Sequence, residues 1–444
     1  MREALRNNSQ FIFILCLLYF IGVWITPFIY FLYPATLALL ILRKKYFELL
    51  ILFIWIVILS DYVPIKGATY NDLQFAKDLK NLNILGMAAL YFIDFKKLNF
   101  QSFIFKRFSF FFLYCSIPLI YSINLQTGFQ KTLSFVLLYL VAPNFVIKIF
   151  EERGKRFFLE FFTFISLMLF IGLVLRFAAP DIGMMGDRFK GIFGNPNGTG
   201  IFLVLVTILF QIVKSYYPKL FTNRQTIFIY LVFALSVIWS GSRNSLTSIL
   251  IFFITIYTGR IHALFSILIT LTVLLFNDYI NFVAIIQVLG LEDYFRAHTI
   301  ETGSGRAIAW RFAWMKIQEC FFFGGGFSHD ENIMRPNYGM LSRLGHQGGV
   351  HNSYLSMWFD VGLIGLILYF TSLIQLVIKG IKKSQFALPF LFAILFNVNY
   401  ESWLVGSLNP FTILFLIILS LLVDKDLYKD VTDQRVNEFQ NELP

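Results

Sequence analysis

The sequence predicts an all-α polytopic membrane protein of about 12–14 transmembrane helices, with one long extracytoplasmic loop containing short amphipathic helices. Composition points there first: 57% of the 444 residues are hydrophobic, 14% are charged and 55 are Phe, where a soluble chain averages about half apolar and a quarter charged. The second observation is the succession of apolar runs, since a hydrocarbon core of roughly 30 Å takes about 20 helical residues per crossing. The third is a single long interruption, Asp278 to His351, which holds four of the five histidines: His298, His329, His346 and His351. Its six basic and seven acidic residues nearly cancel, so any function there depends on where individual charges sit.

In chain order, the first apolar run, Phe11 to Leu42, is too long for one upright helix and contains Thr26-Pro27, which predicts two short spans. Further spans are expected at Phe47–Leu59, Leu82–Ile93, Phe108–Tyr121, Thr132–Ile147, Phe157–Ala178, Gly200–Val213, Ile227–Trp239, Leu246–Tyr257, Ala263–Phe276, Ser353–Ile378, Phe386–Val398 and Pro410–Val423. The start, MREALRNNSQFIFILCLLYF, has a basic head, but its apolar run is long and lacks a small-residue cleavage site, so it reads as a retained span. Basic runs such as RKK, EERGKR and KGIKK fall between spans on one side, which predicts cytoplasmic termini and a tail, 424–444, on the cytoplasmic face. The net charge of +11 is scattered among these connections, and no nucleic-acid partner is implied. Of three cysteines, Cys16 and Cys115 lie in apolar runs and Cys320 in the loop, which excludes a disulfide framework and a CxxC metal site.

This topology brings three polar stretches to the outer face. In PDIGMMGDRFKGIFGNPNGTG, six glycines open the backbone to close approach, and Arg188 and Lys190 add charge for an anion; the competing reading is an interfacial loop touching lipid headgroups. SGSRNSL places Arg243 at the outer end of a span, where a guanidinium either snorkels to a lipid phosphate or grips a ligand phosphate through two parallel bonds. ETGSGRAIAWRFAWMKIQE predicts a turn and then a helix. Arg306, Trp310 and Trp314 share one helical face, and Arg311 sits about 140° away from Arg306. An interfacial helix with a tryptophan belt is the competing reading.

GHQGGVHNSYL places His351 just before a new span, and histidine is the side chain that takes and gives a proton near neutral pH. A zinc site made of His329, His346 and His351 is the rival, weakened by the five-residue spacing of the last two and by the lack of an HExxH run. Asp360 falls on the far side of a straight helix from His351 and is a weak partner for it.

The ordered set RFKGIFGNPN, SGSRNSL, GSGRAIAW, GGGF and HNSYL, followed by Gly362-Leu363-Ile364-Gly365, resembles the O-antigen ligase and O-antigen polymerase superfamily over about Arg188 to Gly365. The resemblance implies an inverting glycosyltransferase that uses no metal or other cofactor and takes its glycan from undecaprenyl diphosphate. It implies His351 as the base for the acceptor hydroxyl, and Arg243 and Arg306 as diphosphate contacts; Arg188, Arg311 and Asn352, on the same outer side, are the further candidate substrate-binding residues. The expected organisation is an N-terminal transmembrane bundle over 1–179 and a catalytic transmembrane region over 180–423 that includes the loop 278–350. The expected setting is a bacterial inner membrane, multi-pass, with membrane lipids around it and the active site facing the periplasm or exterior. The partners are the lipid-linked donor and either another glycan, in a polymerase, or lipid A core or protein, in a ligase; the span count leans toward polymerase. A lipid-linked glycan flippase is the alternative of another class, and it would carry charge along several spans rather than at one face.

Overall fold

A computed structural model describes residues 2–62, 73–94, 102–261, 305–346, 348–424 and 427. The expected span Ala263–Phe276 and the loop up to residue 304, His298 included, lie outside the described residues.

The all-α expectation holds. Helices dominate, and among the described residues the strands are one two-residue pair, Met184–Met185 with Arg188–Phe189. Among the described residues, four helices are long and apolar enough to cross a membrane: Leu125–Arg153, Arg156–Ala178, Pro196–Tyr216 and Ser353–Ile381. Shorter apolar helices, among them Ser9–Trp24, Thr26–Leu42, Ala387–Tyr400 and Pro410–Val423, accompany them. The protein is a polytopic membrane protein.

Helix ends follow local chemistry. The first apolar run breaks at Ile25, with Pro27 in the first turn of the next helix, as Thr26-Pro27 predicts. Asn195 and Asn409 each precede a proline and cap a helix, Asn195 accepting from Gly198 N and Asn409 from Phe411 N and Thr412 N. Asparagine at the cap followed by proline in the first turn is a start signal readable from sequence. The expected span Phe108–Tyr121 is shorter than drawn. Its helix, Phe103–Tyr114, stops because Pro118 has no N–H to give the carbonyl of residue 114.

The chain divides into two compact units, 1–104 with 137–242 and 408–444, and 105–136 with 243–407. In the first unit, Tyr46–Asp61 is buried on every side and packs against Gln74–Ile93 and Thr26–Leu42. Pro410–Val423, equally buried, lies along Pro196–Tyr216. A helix apolar all round belongs inside a bundle. Ser9–Trp24 and Thr26–Leu42, by contrast, leave Phe13, Phe20, Trp24 and Phe31 exposed.

In the second unit, Arg243–Ile261 packs along Ala387–Tyr400, and Ser353–Ile381 packs against Ala387–Tyr400 and the loop helix Arg306–Ile317. The loop has a small core of its own, made by Ala309, Ala313, Ile317, Met334, Leu341, Val350 and Phe359. The buried stripe of Arg306–Ile317 is thus Ala309, Ala313 and Ile317, and Trp314 is exposed. Small side chains let the helix sit close on its neighbour, which a tryptophan face would not.

Ser353–Ile381 is broken at Gly362, whose φ of 66° and ψ of −177° no helix contains. The break frees backbone groups, and the GGGF stretch takes them up. Gly325 N donates to Phe359 O at 2.9 Å and Gly326 N to Asp360 O at 2.8 Å, while Leu363 N donates to Phe321 O at 2.9 Å. A Cβ at Gly362 would collide with the Phe322 carbonyl, so both its φ and its surroundings demand glycine. The Asp360 carboxylate accepts from Ser328 N at 3.3 Å and Asp330 N at 3.2 Å, fixing the start of His329–Met334. Asp360 therefore serves the strap and not His351, in line with its expected place on the helix.

Candidate functional site

The site lies in the second unit and is built around a carboxylate that the sequence reading did not single out. Ala387–Tyr400 ends where Glu401 turns to extended backbone, φ −144° and ψ 142°. Its main chain is held there, since Ser353 Oγ donates to Glu401 O at 2.6 Å. The Glu401 side chain, 8% exposed, accepts from Arg306 Nη2 at 2.9 Å through Oε1, and its Oε2 lies 3.7 Å from His351 Nδ1. One carboxylate thus sits between the guanidinium and the imidazole.

Arg306 owes its place to the start of its helix. Gly305 lies directly on the backbone of Gly345 and His346, so it docks the first residue of the helix against the loop that carries His351. The guanidinium also lies 5.8 Å from the Tyr400 ring centroid. One turn further along the same helix, Trp310 Nε1 donates to Val350 O at 3.0 Å.

His351 is 34% exposed and has a φ of 50°. A non-glycine residue in that region carries strain of roughly 1–3 kcal/mol, and such strain collects at functional positions. His346, buried beneath, shares a hydrogen bond of 2.9 Å between Nε2 and Gly349 O, and its ring lies 5.9 Å from that of His351. Burial chiefly, then the neighbouring His351 and Arg306, lower the pKa of His346 against the opposing hydrogen bonds to Gly349 and Gly348. His346 is a buried prop of the loop. A Cβ at Gly348 would lie 2.7 Å from His351 Nε2. Only a glycine leaves that nitrogen uncovered from this side, while Nδ1 faces Glu401.

Asn352 is next to the site, but its side chain is engaged: Oδ1 accepts from Leu355 N at 3.0 Å as the helix cap, and Nδ2 donates to Asn399 Oδ1 at 3.2 Å. Arg243 opens its helix, and its neighbour Asn244 donates through Nδ2 to Asn397 O at 3.1 Å. Arg311 is exposed and away from the buried stripe of its helix. Its hydrogen-bond and ion-pair partners among the described residues are none, so the cluster of Arg306, His351 and Asn352 forms without it.

Arg188 belongs to the first unit. Its Nε donates to Ser240 O at 2.8 Å and its Nη2 to Asn197 Oδ1 at 2.8 Å. The glycine-rich backbone around it is not open in the way the sequence suggests. Gly191 N donates to Gly183 O, Gly194 N to Asp61 Oδ2 and Gly198 N to Asn195 Oδ1. Lys190 is buried with its Nζ 4.3 Å from the Tyr62 ring centroid, and burial lowers its pKa. These groups hold the loop together.

The three histidines of the rival zinc reading are also placed. His346 and His351 are neighbours, while His329 packs on Phe359 at 6.0 Å between ring centroids. Among the described residues no three His, Cys, Asp or Glu side chains converge as a ligand set.

Residues 228–370 match the family model described as O-antigen ligase. This stretch is similar to the O-antigen ligase family. The resemblance read from SGSRNSL, GSGRAIAW and HNSYL is borne out over this stretch. The match includes Arg243, Arg306, Arg311, His351 and Asn352, and it stops before Glu401, with Arg188 ahead of it. No curated protein matches the chain. The similarity points to a glycosyltransferase-like enzyme of O-antigen ligase or polymerase type, a family that acts on lipid-linked glycans and their acceptors.

Glu401 was legible in one respect. It is an acid directly after an apolar span, in a stretch nearly free of Lys and Arg, and an ionisable group at a membrane edge asks for a named partner.

Proposed function

We propose that the protein is an inverting, metal-independent glycosyltransferase that moves a glycan from undecaprenyl diphosphate onto a sugar hydroxyl in surface-polysaccharide assembly. The observation that supports it best is Glu401 lying between Arg306 and His351. With Nδ1–H directed at the carboxylate, the His351 lone pair is at Nε2, on the side Gly348 leaves uncovered. The acceptor hydroxyl gives its proton to Nε2 as its oxygen bonds to the anomeric carbon from the face opposite the diphosphate. The anomeric C–O bond breaks, and the electron pair leaves on the lipid diphosphate. Arg306 meets that growing charge, with Arg243 in the same role; fixed donors aimed at a leaving group need no ion to assist them. Glu401 holds both groups ready, and the charge it balances on Arg306 in the resting enzyme passes to the phosphate when substrate is bound.

His351→Ala tests this in membranes supplied with an undecaprenyl-diphosphate-linked glycan. Transfer is expected to fall by about 10²–10⁴, the usual contribution of general-base catalysis, with insertion unchanged. Undiminished transfer ends the proposal, and turnover that stops with a chelator would return the zinc reading. Polymerase is the first choice for the acceptor and ligase the second. A deletion strain separates them, because single repeats mean polymerase and long unattached polymer means ligase. The site is proposed to face the periplasm or exterior of a bacterial inner membrane.

A further inference from the structure

The apolar helix Ala387–Tyr400 contains a fully buried amide, Asn397. A polar side chain in such a place is costly unless every group on it finds a partner. Asn397 finds three. Its Oδ1 accepts from Trp403 Nε1 at 2.8 Å, its Nδ2 donates to Ser248 Oγ at 3.1 Å, and its backbone carbonyl accepts from Asn244 Nδ2 at 3.1 Å. Ser248 in turn donates to Asn244 O at 2.7 Å. Asn397, Ser248 and Asn244 therefore form a closed ring of hydrogen bonds between two helices.

The placement of these partners is what matters. Asn244 and Ser248 belong to the first turns of Arg243–Ile261, the helix that Arg243 begins. Trp403 lies beyond Glu401, so the bond from its indole to Asn397 closes the turn from which Glu401 reaches Arg306 and His351. The same turn is tied to the helix of His351 by Ser353 Oγ, which donates to Glu401 O, and by Asn352 N, which donates to Ser402 Oγ at 2.9 Å. One amide thus fixes two things at once: the register of the helix behind Arg243 and the turn behind Glu401.

We propose that Asn397 is a positioning residue of the transfer reaction, holding the Arg243 helix against the Glu401 turn so that the leaving-group arginine and the base are set to one geometry. This rests on the proposed roles of Arg243 and His351. It differs from a packing role, because the two arms of the amide serve two different steps. The arm to Ser248 supports Arg243 and hence the grip on the lipid diphosphate. The arm to Trp403 supports Glu401 and hence the orientation of the base.

The arms are separable by kinetics with a synthetic polyprenyl-diphosphate-linked oligosaccharide as donor. Ser248→Ala is expected to raise KM for this donor at least threefold with little change in kcat, and Trp403→Phe to lower kcat at least threefold with donor KM nearly unchanged. Asn397→Leu should do both, and it also orphans the Trp403 indole. Asn397→Leu combined with Trp403→Phe removes that orphan, so thermal stability should recover while donor KM and kcat stay impaired. If the double variant is as stable and as active as the parent, Asn397 only fills space and the inference is wrong. If the double variant does not fold, the two single variants decide: equal effects on KM and kcat, or none on either, overturn it. His351→Ala is measured alongside. An active histidine variant sinks the proposed reaction itself, whereas an inactive one beside normal Ser248 and Trp403 variants sinks only the role of Asn397.

Discussion

Two glycine-rich, arginine-bearing stretches look alike as sequence and do different work as structure. Around Arg188 the guanidinium donates to a main-chain carbonyl, Ser240 O, and to a neutral amide, Asn197 Oδ1, and the nearby amides of Gly191, Gly194 and Gly198 are bonded to the protein itself. Around Arg306 the guanidinium donates to a carboxylate whose other oxygen lies beside His351. An arginine bonded to fixed main chain is part of the fold. An arginine bonded to a carboxylate next to an imidazole and a glycine is the arrangement on which the proposed site rests.

The contrast is sharpest for Arg306→Ala, which removes the proposed donor to the leaving group. Transfer is expected to drop by about 10²–10³, measured as kcat/KM with a lipid-linked donor, and a loss under threefold would erase the distinction between the two stretches. Glu401→Gln keeps the shape of the carboxylate and removes its charge. A loss of about 10–100-fold in kcat is expected, by analogy with carboxylates that orient metal-bound histidines, and a wild-type kcat would mean that the carboxylate does not orient the base. For Arg188→Ala the effect should fall on stability. Leaving the Ser240 carbonyl and Asn197 amide short of a donor costs about 1–3 kcal/mol, read as a lower melting temperature in detergent, with KM for the donor unchanged in the protein that remains folded. The smallest effect belongs to Arg311→Ala. Exposed and on the other side of the loop helix, it should change kcat/KM by less than twofold, since surface substitutions away from partners stay within about ±0.5 kcal/mol; a tenfold loss would bring Arg311 back into the site.

How much was readable follows the range of the interaction. The break at Thr26-Pro27, the Asn-Pro helix starts at 195 and 409 and the sequence of apolar runs are local chemistry, and each is present in the structure as the sequence predicts. His351 and Arg306 were legible because each stands next to small residues at the edge of a hydrophobic segment. Arg188 was read as open to ligand because composition reports glycines and bases but not which carbonyl or carboxylate lies opposite them. Glu401 was passed over because its partners are 95 and 50 residues away in the chain, beyond any motif. GGGF and Gly362 were recognised as signature residues, yet their reason, a strap pairing with the broken ends of a helix, exists only where the two stretches meet.

By itself, then, the sequence determined that this is a helical membrane protein and where most of its helices begin and end, because hydrophobic transfer and the capping of backbone groups act within a few residues. Tertiary structure alone decided which charges are neighbours. It set one carboxylate between a guanidinium and an imidazole and turned another arginine inward to the main chain, since the energy of a charge in a low-dielectric setting depends on what folding brings within a few ångströms of it.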